Sequence, residues 1–277
     1  MRVLIMCDME GVSGIVTWDQ VGGGKAGYPE GRELYTAEVN AAVRGAARAG
    51  ATEIIVIDGH NAGGDWRYNS LLKGMLDPAC DYVAHHTWTH YREPLEQGAD
   101  ACLMVGYHAR NNTPDGVLNH TISFSQCRNL WFNNDLVGEI GVNAALCGHY
   151  GCPVLMVTGD VAACREATEL VGAGLKTVAV KRGLSKFSAR QIAPQRARTM
   201  IEACAYEALQ DLNAVAPYVP SSPVTITAEF GHTDVMMAYT PRHDVELDLP
   251  AEKVIGRGDT WLEAWDKIWP WENMPVQ

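Results

Sequence analysis

The chain carries no C-x-x-C pair, so its eight cysteines do not offer the spacing of a thiolate zinc site. They are scattered from Cys7 to Cys204, several inside apolar runs, and read as reduced thiols packed as small hydrophobes. Long apolar runs are missing too: none approaches the ~20 residues that span a bilayer, which argues against a membrane partner. The opening Met1-Arg2-Val3-Leu4-Ile5-Met6-Cys7-Asp8 passes into acidic residues without the length or cleavage site of a signal peptide, and cytoplasmic residence is the expectation. Basic clusters are absent. A formal net charge of -11 leaves no patch to neutralise phosphates, which argues against nucleic acid as a partner. Gly22-Gly23-Gly24-Lys25 lacks the upstream glycine of a phosphate-binding loop and reads as a flexible loop at a crevice mouth.

What is present is a globular composition: 277 residues, 47% hydrophobic and 20% charged. Short apolar runs at Val3 to Cys7, Glu53 to Ile57, Ala101 to Val105 and Val154 to Thr158, with a weaker one at Thr177 to Val180, alternate with amphipathic stretches. Val39, Val43, Ala46 and Ala47 recur at helical spacing before a stop at Gly50. This pattern predicts an α/β fold in three layers, a mostly parallel sheet with helices on both faces. Cys127 to Phe132 adds a further strand, and Ile140, Asn143, Ala144 and Cys147 mark one face of a helix. The proline-rich joint at Ala216 to Pro223 divides a core at 1–215 from a smaller C-terminal α+β lobe at 216–277, within one domain.

In an open α/β sheet the ligand crevice lies outside the carboxyl ends of the strands. Three apolar runs end there in metal-ligating residue types: Asp8-Met9-Glu10, Asp58-Gly59-His60 and Gly106-Tyr107-His108. In an extended segment residues i and i+2 share a side, so Asp8 and Glu10 can point together, and two close carboxylates need protons or cations between them. A mixed imidazole and carboxylate set suits zinc better than magnesium or calcium. Glu139, opening a helix, is a fifth candidate. Singly, each of these residues is more commonly a cap, a turn former or a satisfied loop histidine; jointly, at strand ends, they point to metal. Asp160 reads as a helix cap, and His85, His86 and His90 as an exposed surface cluster.

The stretches Asp8-Met9-Glu10-Gly11-Val12-Ser13-Gly14, Asp58-Gly59-His60, Gly106-Tyr107-His108-Ala109-Arg110, Asn119-His120, Val137-Gly138-Glu139-Ile140-Gly141-Val142-Asn143 and Pro153 to Asp160 resemble, in order over residues 1 to 210, the D-aminopeptidase family of dinuclear zinc peptidases, peptidase family M55. The resemblance implies two zinc ions per chain bridged by Asp8, with Glu10 and His60 completing one site and His108 and Glu139 the other. It also implies His120 as the catalytic residue that is not a ligand, a short peptide as substrate, D-alanyl N-termini, and a homodecamer of two stacked pentamers. A dinuclear amidase or esterase of other specificity, and a non-enzymatic metal-containing binding module, are the alternatives. A phosphoesterase is disfavoured because Arg110 is the one basic residue near the motifs.

Overall fold

The computed structural model describes residues 1–86 and 92–269. Its first half runs β1 (Arg2–Cys7), α1 (Trp18–Val21), α2 (Tyr28–Arg48), β2 (Glu53–Asp58), β3 (Asp81–Val83), α3 (Glu93–Glu96), β4 (Ala101–Tyr107), β5 (Cys127–Phe132), β6 (Asp135–Val137) and α4 (Glu139–His149). The second half runs β7 (Val154–Asp160), α5 (Val161–Val171), β8 (Lys176–Ser185), β9 (Ser188–Gln191), α6 (Pro194–Ala208), β10 (Val224–Phe230), α7 (Thr233–Met237), β11 (Glu246–Asp248), β12 (Lys253–Gly258) and α8 (Trp261–Ile268).

A seven-stranded sheet in the order β3-β2-β1-β4-β7-β8-β9 forms the centre, parallel throughout except for the β8–β9 hairpin. β1, β4 and β7 are buried along nearly their whole length, which is why they read as continuous apolar runs without alternation. The chain leaves β1 toward β2 in one direction and runs from β4 through β7 to β8 in the other. With the right-handed crossovers usual for parallel strands, the two directions put α2 on one face and α4 and α5, which pack on each other, on the opposite one. α6 returns to pack along α2. The reversal of direction opens a crevice between β1 and β4, where chains of this architecture bind ligands.

A second, antiparallel sheet in the order β11-β12-β10-β5-β6 stands beside the first. β10 alternates buried and half-buried residues, with Val224, Ile226, Ala228 and Phe230 turned inward, the signature of a sheet covered on one face. β5 and β6 come from the middle of the chain, so the C-terminal strands pair with residues upstream of the joint at 216–223. The tight turn at Asn133-Asn134, with Asn133 at φ 55°, closes the β5–β6 hairpin and delivers the chain to Gly138 and the start of α4. α8, opened by a Thr260–Glu263 capping box, packs on β10 and β12 and reaches α4.

The ends of β1 and β4 meet backbone to backbone. Gly11 N–H donates to the Gly106 carbonyl at 2.7 Å. A Cβ on Gly11 would lie 2.0 Å from the Tyr107 carbonyl oxygen, and one on Gly106 would lie 2.1 Å from that of Asp8, with Gly106 already at φ +78°. Only glycine fits such an approach. Gly106→Ala is therefore expected to cost at least ~2 kcal/mol, from a strained φ and a backbone clash together. A urea denaturation midpoint equal to that of the parent chain would contradict this account of the junction.

Candidate metal centre

The loops leaving β1, β2 and β4, together with the first turn of α4, bring Asp8, Glu10, His60, His108 and Glu139 to the crevice. Asp8 and Glu10 do not share a side through strand alternation as expected. β1 ends at Cys7, and residues 9–12 form a tight turn closed by Val12 N–H to the Met9 carbonyl. The turn nevertheless buries both carboxylates, leaving Asp8 5% and Glu10 3% exposed. His60 Nδ1 lies 3.1 Å from Asp8 Oδ1 and 3.1 Å from Glu10 Oε2. His108 Nε2 lies 3.4 Å from Asp8 Oδ2 and 3.2 Å from Glu139 Oε1. Asp8 thus presents one oxygen to each imidazole, and the five candidates converge in two halves around it.

Each imidazole is fixed by the nitrogen that does not face the cluster. His60 Nε2 is 2.8 Å from the Val21 carbonyl, His108 Nδ1 is 2.9 Å from that of Ala109, and His120 Nδ1 is 2.9 Å from that of Leu118. A carbonyl oxygen can only accept, so each of these ring nitrogens carries the proton and donates. In the neutral imidazole the other nitrogen then turns its lone pair toward carboxylate oxygens, a repulsive arrangement without a proton or cation between them. This second bond, holding one tautomer, is what orients metal-ligating histidines in general. Asp8 Oδ2, Glu10 Oε2 and His108 Nε2 are buried without a hydrogen-bond partner. The donor set therefore fits a cation, and its mixed nitrogen and oxygen character fits zinc.

In the absence of a cation, protons must compensate the charge, and the electrostatics reflect this. Burial pushes the His108 imidazole down, but Glu139 beside it, with Asp8 and Glu10, raises it to about 10. Burial also opposes a charged His60, yet Glu10 and Asp8 hold it well above its ordinary range. Burial and the neighbouring Glu10 carboxylate raise Asp8. Those protons occupy the positions a metal ion would take.

His120 joins the same cluster. Its ring stacks on His108 at 4.0 Å between centroids, and its Nε2 stands 3.6 Å from Glu139 Oε1. Burial and the adjacent His108 lower its pKa. Two sets of donor atoms lie within 4.8 Å of one another, Asp8 with Glu10 and His108, and His108 with His120 and Glu139. Leu118 at φ 50° and Ile122 at φ 62° flank His120 in the left-handed region. Such strain costs ~1–3 kcal/mol per residue and persists only where other contacts enforce it. Here Ile122 N–H donates to Glu139 Oε1 at 2.8 Å, and Trp18 meets the His120 ring edge-on at 5.4 Å.

Further buried groups hold the loops. Asp160 caps α5 through Ala163 N–H at 2.7 Å, as expected, and its second oxygen accepts from Val117 N–H at 2.6 Å in the loop that carries His120. Asp58 accepts from Leu71 N–H at 3.0 Å and Tyr35 Oη at 3.0 Å, closing the segment beyond His60. Lys181, 2% exposed, donates from Nζ to the carbonyls of Glu10, Val12 and Ile15 at 2.6, 2.8 and 2.8 Å. Burial lowers its pKa to about 8 against the opposing pull of Asp160 and Glu38. Of the histidine cluster at 85–90, His85 bridges Tyr68, His86 is exposed, and His90 lies outside the described residues.

Lys181→Met keeps the length of the side chain but removes its donors, leaving the buried Glu10 carbonyl unpaired and taking the charged donor from the carbonyls of Val12 and Ile15, which keep only the Ile15 N–H and the Gln191 amide. A loss of ~3 kcal/mol or more in denaturant-unfolding stability is the expected outcome. A loss below ~1 kcal/mol would show that Lys181 does not hold the turn.

The family model for the D-aminopeptidases, peptidase family M55, matches residues 1–261. A D-aminopeptidase of Bacillus subtilis (strain 168) is 35% identical over 234 residues, covering 84% of this chain and 82% of its own length. A solved structure, described as the Zn-dependent D-aminopeptidase DppA from Bacillus subtilis, a self-compartmentalizing protease, superposes with a TM-score of 0.89. It is 30% identical, and the match covers 98% of this chain and 96% of that one. With a family model spanning most of its length and a full-length structural relative, the chain belongs to the D-aminopeptidase family of peptidases, M55, and is a hydrolase.

Proposed function

We propose that this chain is a zinc-dependent aminopeptidase that holds two zinc ions and releases the N-terminal residue of short peptides. The observation that carries the reading is the set of histidine lone pairs aimed at Asp8, Glu10 and Glu139, with the two oxygens of Asp8 turned to different imidazoles. Asp8, Glu10 and His60 would hold one ion and Asp8, His108 and Glu139 the other. The zinc dependence printed for the structural relative supports the choice of metal. Bound there, zinc supplies Lewis acidity toward the scissile carbonyl and toward water.

The remaining steps fall to the chain's own groups. Three carboxylates do not outweigh two zinc ions, so the free amino terminus of a peptide would enter as the neutral amine, whose lone pair would position the N-terminal residue beside the carbonyl to be attacked. His120 keeps its proton on Nδ1, against the Leu118 carbonyl, and its neutral Nε2 faces the cluster, placed to take a proton from the attacking water and return it to the leaving amine. Burial disfavours its charged form. D-Alanyl peptides are the first substrates in this reading, because the relatives are named D-aminopeptidases. We place the enzyme in the cytoplasm as a homodecamer, following the family resemblance and the self-compartmentalizing description of the relative. Among the described residues no helix is long and apolar enough to cross a membrane.

Asp8→Ala is expected to empty both metal positions, whereas His120→Ala keeps the metal and the fold and loses on the order of 10²-fold or more in kcat. Elemental analysis and single-turnover kinetics read the two separately. Unchanged zinc in the Asp8 variant, or near-parental kcat in the His120 variant, would remove that residue from its role. N-acetylation of a cleaved peptide should lower kcat/KM strongly through lost positioning. Equal cleavage of free and acetylated peptides would replace the aminopeptidase with a general amidase.

A further inference from the structure

Three aromatic rings gather beside His120. Trp18 of α1 meets the His120 ring in a T-shaped contact at 5.4 Å between centroids. Phe124 stacks on Trp18 at 5.1 Å with 29° between planes, and Phe187 meets Trp18 edge to face at 6.4 Å. Phe124 is 69% exposed and Phe187 52%, while Trp18 is half-buried. Trp18 and Phe124 line the same cavity as Asp8, Glu10, His120 and Glu139.

The loops that carry these rings are tied to the cluster. Ile122, whose N–H donates to Glu139 Oε1, leads into a turn closed by Gln126 N–H to the Ser123 carbonyl at 3.2 Å, and Phe124 stands at its second position. The Lys186 carbonyl, next to Phe187 between β8 and β9, accepts from Leu118 N–H at 2.8 Å in the loop that carries His120. Lys186 Nζ lies 5.8 Å from the Trp18 ring centroid, a cation–π contact that helps fix the indole. Phe124 therefore has a set place relative to Glu139 and His120, yet the fold leaves most of its ring uncovered. An uncovered ring forgoes the ~25 cal/mol per Å² that burial would return, and a cluster of such rings at the rim of a site marks a place where a ligand covers them.

We propose that Trp18 and Phe124 form a shelf for the side chain of the substrate's second residue, the first residue of the leaving peptide, and that the shelf favours apolar and aromatic side chains there. The inference rests on the aminopeptidase reading, in which His120 returns a proton to the leaving amine. That transfer requires the leaving nitrogen within hydrogen-bond reach of His120 Nε2, ~3 Å. The side chain of the residue carrying that nitrogen branches from the neighbouring carbon, so it stays close to the same imidazole. Trp18 touches that imidazole, and Phe124 extends the apolar surface beyond it. The N-terminal residue joins the scissile carbonyl from the opposite side, away from the group that protonates the amine. Glycine at the second position would leave the shelf in water, whereas leucine or phenylalanine would cover part of the Phe124 ring.

The test compares kcat/KM of the zinc-loaded enzyme for Ala-X-Gly peptides with glycine, leucine or phenylalanine at X, each chiral residue in both configurations. In the series that is cleaved best, phenylalanine should exceed glycine at X by about tenfold or more. Phe124→Ala should lower that ratio about fivefold, and Phe124→Trp should keep it, because either ring presents an aromatic face. Phe124 lies outside the core, and a mere loosening of His120 would slow every peptide alike and leave the ratio where it was. No gain for larger side chains at X, a ratio unmoved in Phe124→Ala, or a change confined to the first position in a companion X-Gly-Gly series overturns the shelf and leaves the aminopeptidase standing. A smaller oligomer in Phe124→Ala with the ratio unmoved overturns it too, and assigns the rings to contact between copies of the chain. No cleavage of any of the peptides by the parent enzyme removes both.

Discussion

An unprotonated imidazole nitrogen facing a carboxylate oxygen is a repulsive contact, and this fold is built so that three such nitrogens cannot turn away. The backbone carbonyls of Val21, Ala109 and Leu118 take the N–H of His60, His108 and His120, and the opposite nitrogens are left pointing at Asp8, Glu10 and Glu139. Burying charges of one sign together costs several kcal/mol per ion unless something of opposite sign lies between them. Protons can serve, as the raised His60 and His108 indicate, and a divalent cation serves better because one ion satisfies several lone pairs at once.

Much of the surrounding structure is the means of holding that arrangement. Gly11 and Gly106 let the ends of β1 and β4 touch, bringing the Asp8 turn against the strand that leads to His108. Lys181 reaches from β8 beneath the sheet end and gathers three carbonyls of the same turn. Asp160 ties the loop bearing His120 to the start of α5. The second sheet has its own part, since the β5–β6 hairpin sets the start of α4 and hence Glu139. Its partner strands carry α8, whose tryptophans face the cavity from the other side.

The parts of this design that were legible in the sequence are those encoded locally. Val3 to Cys7 and Ala101 to Val105 read as buried strands because parallel strands covered on both faces need unbroken apolar runs. Asp8, His60 and His108 stood out because polar ligand types followed such runs directly. Lys181 was not legible. It follows directly on the weak apolar run Thr177 to Val180, and a lysine at a strand end is ordinarily solvated; its burial depends on carbonyls about 170 positions away in the chain. Two-residue spacing alone does not separate a strand from a tight turn, so nothing local marks Asp8-Met9-Glu10 as a turn. The pairing of β10 with β5 was likewise hidden, because strand partners nearly 100 residues apart leave no mark on either segment. Asp160 is legible as a cap, but its second hydrogen bond requires the loop at Val117 to fold back, a tertiary fact.

Metal held by this cluster is the proposed seat of catalysis. Stripping the protein with a chelator and restoring zinc in measured steps, while following peptide cleavage, tests it most directly. Activity that is absent in the stripped protein and complete at two zinc equivalents per chain is the predicted result. Full peptidase activity in protein verified to be metal-free, with its fold intact, would contradict it.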